Sequence, residues 1–305
     1  MPTLRQLEYL VAVAETLHFR RAAEKVHGTQ STLSLQIKAL EDRLGVQLVE
    51  RSRTRVVMTP IGNEVVAIAR KVLRDVKDIR DLAAVDRKDF TGVVRLGLPH
   101  TKAPYFLPRV VPDLRRAYPD LKLRIYEDLP LALTAGLRDG VHDIIIVPMP
   151  VVAEDLHSVP LYREPLYVAV AADHPLARQD RIHRSALKGQ SVLALGPGHQ
   201  LHELVLALCE EFGAKVLTDY EGTSLNTLRE MVAMGVGITF FPGLYVRTVL
   251  VQHKTIKTIE LTGRQVYRTV GMAWRKSSAR HAHYEQIAKL FASVIERDFS
   301  DFAIA

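Results

Sequence analysis

The chain has 305 residues, 48% hydrophobic and 25% charged, which fits a folded globular protein and excludes a disordered or collagen-like one. That length outgrows one ordinary core, so two domains are expected, and no apolar run of ~18 residues predicts a membrane-spanning helix. A formal net charge of +7 invites a polyanionic partner, and a single cysteine, Cys209, excludes an intrachain disulfide.

The polar start Met1-Pro2-Thr3-Leu4-Arg5-Gln6 lacks a secretory pattern, so a cytoplasmic protein is expected. Leu4, Leu7, Leu10, Val11 and Ala14 recur at three- and four-residue intervals, which predicts a helix over residues 4–16. Phe19 to Val26 reads as a second, short helix, ended by His27-Gly28 with Gly28 expected to take the positive φ. Thr29 is a good N-cap for a third helix from Gln30 to about Leu44, closed by Gly45. Leu33, Ile37, Leu40 and Leu44 form its expected buried stripe, and Gln30, Ser31, Thr32, Ser34 and Lys38 its outer face. This is the helix-turn-helix layout, although a generic three-helix core with solvated polar positions fits the same residues.

Val46–Glu50 and Val56–Thr59 read as short strands around Arg51-Ser52-Arg53-Thr54-Arg55, a wing whose arginines suit phosphates or a narrow minor groove. Residues 1–60 hold nine basic and six acidic side chains, a modest excess that supports DNA binding only if the bases share a face. The candidate DNA contacts are Arg20, Thr29, Gln30, Ser31, Thr32, Ser34, Lys38, Arg51, Arg53 and Arg55. Gln30 can read adenine, the hydroxyls can serve several bases, and Lys38 can reach phosphate.

Leu7-Glu8-Tyr9-Leu10, Phe19-Arg20-Arg21-Ala22-Ala23, Thr29-Gln30-Ser31-Thr32-Leu33-Ser34, Ile37-Lys38-Ala39-Leu40-Glu41, Leu44-Gly45 and Thr59-Pro60-Ile61-Gly62 stand at fixed spacing. Through them residues 4–62 resemble the winged helix-turn-helix domain of LysR-type transcriptional regulators. The family's usual Ser-Gln-Pro is replaced by Thr29-Gln30-Ser31, which keeps a cap but loses a preorganised first turn.

Ile61, Val65, Ile68, Val72, Val76, Ile79 and Leu82 or Ala83 predict a helix from Ile61 to about Ala84, ~24 residues spanning ~36 Å. Its narrow stripe suits a dimerising coiled coil, or a single helix packed on its own domain. The resemblance implies the former, a linker helix paired antiparallel in dimers that assemble further into tetramers. Asp86-Arg87-Lys88-Asp89 reads as a polar hinge.

From Gly92, strands at 93–98, 121–126, 144–147, 162–172, 192–195, 216–220, 237–241, 255–261 and 267–274 are predicted. Helices at 105–117, 131–139, 201–212, 225–234 and 281–299 alternate with them, an α/β architecture with mainly parallel sheets. His281 and His283, at the start of the last helix, are expected to be solvated.

The resemblance implies a periplasmic-binding-protein-like effector domain of two Rossmann-like subdomains. The expected layout is 1–60 winged helix, 61–88 linker and 89–305 effector domain, with subdomain I at about 92–162 and 268–305 and subdomain II at about 163–267. The chain would cross near Leu161–Leu166 and Thr262–Arg268, leaving a ligand cleft at the strand ends. Candidate cleft residues are His100, Thr101, Lys102, Pro130, Pro148, Gly198, His199, Gln200, Thr223 and Ser224, which simple caps and turns would equally explain. Thr223 or Ser224 would cap the next helix, where an anion could sit.

The whole chain is most similar to the peroxide-sensing OxyR branch. The likeness rests on His18-Phe19-Arg20-Arg21, Pro104-Tyr105-Phe106-Leu107-Pro108, Thr223-Ser224-Leu225 and Gly235-Val236-Gly237-Ile238-Thr239. That resemblance implies a peroxidatic cysteine in a Gly-His-Cys stretch and a second cysteine in the following helix. Gly198-His199-Gln200 puts glutamine at the first position, Cys209 matches the second, and Pro130 replaces a threonine while Thr101 is retained. A thiol–disulfide switch is therefore not expected, and Cys209, on a stripe with Val205, Leu208 and Phe212, reads as structural before redox.

His199, His202 and Glu203 lack a third-ligand geometry, so no metal or other cofactor is expected. Without a nucleophile–base–orienter set no enzyme is expected either. A solute-binding protein shares the effector architecture but would need a secretion signal and no winged helix. The expectation is a DNA-binding regulator, activator or repressor, with a partly palindromic duplex, its own copies, a small-molecule effector and RNA polymerase as partners, and no membrane.

Overall fold

The computed structural model describes residues 1–51, 56–84, 90–222, 224–251 and 253–304. The chain forms two compact units, Met1–Arg87 with Asp139–Val141, and Lys88–Arg138 with His142–Ala305.

In the first unit, α1 (Leu4–Thr16) opens with a capping box: Thr3 Oγ1 accepts the Gln6 N–H at 3.2 Å and Gln6 Oε1 accepts the Thr3 N–H at 3.1 Å. α2 (Phe19–Lys25) ends in a Schellman motif, with Gly28 N–H on Ala23 O at 2.8 Å and His27 N–H on Glu24 O at 3.2 Å. The left-handed residue is His27 (φ 54°), which corrects the expectation for Gly28. The helix stops one residue earlier than the apolar pattern implied, so the αL position moves back by one and Gly28 packs beside Tyr9.

α3 (Gln30–Leu44) starts at Thr29, whose Oγ1 accepts the Thr32 N–H, and stops at Gly45 (φ 70°). Leu33, Ile37 and Leu40 are fully buried with Tyr9, Leu10, Val13, Ala22 and Ala23, whereas Leu44, expected in the stripe, is 38% exposed because the last turn projects beyond this core. β1 (Val49–Arg51) pairs antiparallel with β2 (Val56–Met58). Glu41 Oε1 accepts both the Leu48 and Val49 N–H groups, at 2.8 and 3.0 Å, fixing the start of the hairpin to α3.

α4 (Pro60–Ala84) starts from a cap on Thr59, whose Oγ1 accepts the Gly62 N–H at 2.9 Å and donates to Gln47 O at 2.8 Å. Val66 and Ala69 are buried as the helix packs on α1, while Ile61, Ile68 and Ile79 are exposed. The helix thus has one apolar face on its own unit and another left open to water, combining both sequence readings.

The second unit begins with β3 (Gly92–Leu98), α5 (Ala103–Ala117), β4 (Leu121–Glu127), α6 (Pro130–Arg138) and β5 (Ile144–Pro148), with β3 parallel to β4 and β5. β6 (Leu156–Ala171) and β7 (Arg181–His183) follow, then β8 (Ser191–Leu195), α7 (Gln200–Phe212), β9 (Lys215–Gly222), α8 (Leu225–Ala233) and β10 (Thr239–Pro242). One-turn α9 (Gly243–Tyr245), β11 (Ile256–Thr262), β12 (Tyr267–Arg275) and α10 (His281–Asp298) complete it.

The expectation of mainly parallel sheets is corrected by β6, a strand of 16 residues that pairs antiparallel first with β12 and then with β10 and β11. β6 passes from one lobe to the other without a break, and β12 returns beside it in the opposite direction. Antiparallel pairing follows from that reversal. The parallel β8–β9 pair, bridged to Ile238 through Val192, lies in the second lobe.

Candidate DNA-binding face and effector cleft

On α3 the hydroxyls of Thr29, Ser31 and Thr32 are gathered into the cap: Thr29 Oγ1 lies 3.1 Å from Ser31 Oγ and donates to Thr32 Oγ1 at 2.9 Å. Gln30 and Lys38 are exposed, Ser34 is half-buried, and Arg20 on α2 is exposed but paired with Glu24 at 3.1 Å. The backbone of Arg51 ends β1, while the Arg51 side chain and all of Arg53 and Arg55 lie outside the described residues. Sequence reasoning missed Leu35, 67% exposed on α3 between Ser31 and Lys38. An apolar side chain there is suited to a thymine methyl; its i+4 spacing from Ser31 was the available signal.

In the second unit a cavity of about 410 Å³ opens between the end of β5, α6 and the N-terminus of α7. It brings together the predicted Pro130, Pro148, Gly198, His199 and Gln200 with Pro150 of the expected Pro148-Met149-Pro150 cleft segment, and adds Leu131, Thr134, Val147, Val151, Val152 and Glu203, which sequence reasoning did not place in the cleft. Gly198 needs its glycine: φ is 87°, and a Cβ would stand 3.0 Å from Leu129 Cδ1. Gln200 Nε2 donates to Met149 O across the opening at 3.4 Å. Burial, with His100 and His202 nearby, holds the His199 imidazole below its ordinary pKa and so favours its neutral form.

Of the other five predicted cleft residues, His100, Thr101, Lys102 and Ser224 do not line this cavity. His100 faces Glu127 at 3.0 Å, Thr101 is buried, Ser224 Oγ is engaged by the Thr227 backbone and hydroxyl, and Thr223 lies outside the described residues. Lys102 is the clearest correction. It turns inward, 1% exposed, to Glu164 (0%) at 3.4 Å, because the turn before α5 points it at the crossing strands. Arg268 of β12 meets the same Glu164 oxygen at 2.7 Å, and Leu244 N–H of α9 meets the other at 2.7 Å. Burial alone would raise the Glu164 carboxyl, but Arg268, Lys102 and Leu244 N–H outweigh it and hold it below the usual range. Lys102 is pulled down to about 7 by burial, reinforced by Arg268 and opposed by Glu164. This node joins both crossing strands to one element of each lobe.

Cys209 is buried on the core side of α7, and burial pushes its thiol up to about 11, so it carries little thiolate at neutral pH. Gln200 and Cys209 occupy one unbroken helix, nine residues and ~13.5 Å of rise apart, well beyond the ~7 Å limit for bridged Cα atoms.

His157, His281 and Glu285 place donor atoms within 4.8 Å of one another. Trp274 Nε1–H donates to His281 Nδ1 at 2.9 Å, so the neutral ring carries its proton on Nε2, which faces Glu285 at 3.3 Å. That nitrogen is committed as a donor, so Trp274, His281 and Glu285 form a polar chain along the start of α10, with the His157 ring packed against His281. His283 stacks on Phe90 with centroids 4.4 Å apart; neither it nor His281 is simply solvated, because the first turn of α10 packs on the unit.

Residues 4–63 match the family described as bacterial regulatory helix-turn-helix protein, lysR family, and residues 87–295 match the LysR substrate binding domain. The chain is 38% identical over 301 residues to the DNA-binding transcriptional dual regulator OxyR of Escherichia coli K12, covering 97% of each. It is 40% identical over 285 residues to the hydrogen peroxide-inducible genes activator of Dickeya chrysanthemi, covering 93% of each. A full-length OxyR variant of Pseudomonas aeruginosa superposes with a TM-score of 0.80 at 37% identity, covering 95% of this chain and 94% of that one. The protein belongs to the LysR family and is a DNA-binding transcriptional regulator similar to the OxyR proteins.

Proposed function

We propose that this regulator holds a partly palindromic duplex as a cytoplasmic dimer or tetramer, with α3 of each copy in a major groove, and that a non-covalent ligand in the effector cleft modulates it. The exposed Ile61, Ile68 and Ile79 face of α4 supports pairing of copies through that helix. RNA polymerase is the expected partner at the promoter, and the protein acts without catalysing a reaction.

The observation that carries the trigger is the pairing of Gln200 at the cleft with one deeply buried cysteine on the same helix. The relatives are described as peroxide-inducible, but a glutamine amide has no sulfur to oxidise and Cys209 has no partner within the chain. In a gel-shift titration, Cys209→Ser is expected to bind DNA like the wild type, and peroxide to change neither. A peroxide response that survives in Cys209→Ser would overturn the ligand reading in favour of another oxidisable residue.

For the DNA face, Gln30→Ala is expected to relax preference at one base pair by about 1–3 kcal/mol, whereas Lys38→Ala weakens all duplexes alike and lowers the salt slope by about 1. Competition binding at several salt concentrations separates the two. Uniform loss for Gln30→Ala would remove its base-reading role.

A further inference from the structure

The cleft lining departs from what an anionic effector needs. Leu131 and Val152, 80% and 91% exposed, present apolar surface at its mouth, with Val147 and Val151 also lining it. Water covering such surface is released when an apolar molecule replaces it. Pro130, Pro148 and Pro150 have no N–H to offer, so this wall is poor in donors. The acceptors are better supplied: the Glu203 carboxylate, and the Gln200 Oε1 left over once Nε2 binds Met149 O.

Charge points the same way. Among the described residues, no lysine or arginine lines the cavity, and the nearby Lys102 is turned into the Glu164 node. His199 is held toward its neutral form and brings no positive charge. Two helix N-termini lie at the cavity: that of α6, which opens on Pro130 without an N–H, and that of α7, where the His199 side chain makes no cap. Glu203 already stands in that first turn, answering the helix dipole and repelling an incoming carboxylate.

We infer that the effector is a small, mainly apolar molecule bearing a protonated amine, with its hydrocarbon part against Leu131, Val147, Val151 and Val152 and its ammonium group on Glu203. This rests on the cleft-ligand reading above and names the ligand class. At about 410 Å³ the cavity is in the range of pockets for small organic ligands, about 300–1,000 Å³.

Benzylamine, benzyl alcohol and benzoate have nearly the same apolar part and differ in charge, so the full-length protein can be tested with each at equal concentration by thermal shift and calorimetry. The expected order of affinity is benzylamine, then benzyl alcohol, then benzoate, with amine over carboxylate by at least ~10-fold, the ratio given by ~1.4 kcal/mol of differential interaction. Glu203→Gln should bring benzylamine down to the level of the alcohol while leaving alcohol binding intact. Leu131→Ser, at an exposed position that folding does not depend on, should weaken all three. Benzoate binding as well as or better than benzylamine would overturn the ligand class yet leave a cleft-ligand regulator standing. Absence of binding by all three, or an amine preference that persists in Glu203→Gln, would also overturn it. Failure of the cleft reading itself appears separately, as the peroxide response of Cys209→Ser.

Discussion

Glu164→Gln is expected to lower the midpoint of thermal unfolding of the effector unit by roughly 10 °C, from a loss of about 3–5 kcal/mol. Glutamine keeps the shape and can still accept the Leu244 N–H, so the substitution isolates the charge. What remains is Lys102 and Arg268, 1% and 8% exposed, facing each other without the carboxylate that both contact. Removing one partner of a buried ionic group costs far more than the intact group contributes, because the surviving charge has already lost its water. Lys102→Met should behave in the opposite way. It deletes the surplus cation and leaves a one-to-one pair, so stability at pH 7 is expected to rise by about 1–2 kcal/mol.

The pH dependence of this comparison has a definite sign. An unfolded lysine keeps its proton up to about 10.5, whereas folded Lys102 releases it near 7. Between those values the unfolded chain binds more protons, so the wild type gains stability as pH rises; below about 7 the cost of the buried charge is complete. The advantage of Lys102→Met should therefore shrink from pH 7 to pH 10 in thermal denaturation of full-length protein. A constant difference would show that Lys102 does not titrate in this window, and an unchanged midpoint for Glu164→Gln would remove the node from the account of stability.

The second large effect is expected for Gly62→Ala. A Cβ at this position would lie 2.1 Å from Leu48 O and 3.0 Å from Thr59 Oγ1, a backbone oxygen and a capping hydroxyl that cannot both move aside. The first turn of α4 would have to lift from the hairpin, breaking the cap on Thr59, at about 3 kcal/mol, the upper part of the range for overpacking. Duplex binding should weaken on every sequence alike, since the frame holding α3 and β1 is disturbed and no base contact is touched. Gly45→Ala is the control: it meets nothing within 4 Å and suffers only from its φ of 70°, costing about 1–2 kcal/mol. Amide hydrogen exchange across α1–α4 distinguishes them, and equal protection in the two variants would refute the close-approach argument.

The sequence by itself determined the helix-turn-helix. Three-to-four spacing of Leu33, Ile37 and Leu40, with Thr29 before them and Gly45 after, predicts a helix bounded as it is found. Caps and amphipathic stripes are local, so the information lies within a few residues. The resemblance of Gly198-His199-Gln200 to the Gly-His-Cys stretch of the OxyR branch made Gln200 legible as a missing thiol, and the strand-end pattern made Pro130, Pro148, Gly198 and His199 legible as residues beside the cleft.

Only the tertiary structure decided the rest, because it depends on residues far apart in the chain. Lys102, Glu164 and Arg268 are separated by 62 and 104 positions and meet only where β6 and β12 cross together, so nothing local marks Lys102 as buried. Antiparallel pairing of those strands is likewise a matter of chain direction, which alternating hydrophobicity does not encode. No local pattern places Leu131 and Val152 beside Glu203; the fold brings all three to the mouth of one cleft, which gives that cleft its apolar, cation-accepting character.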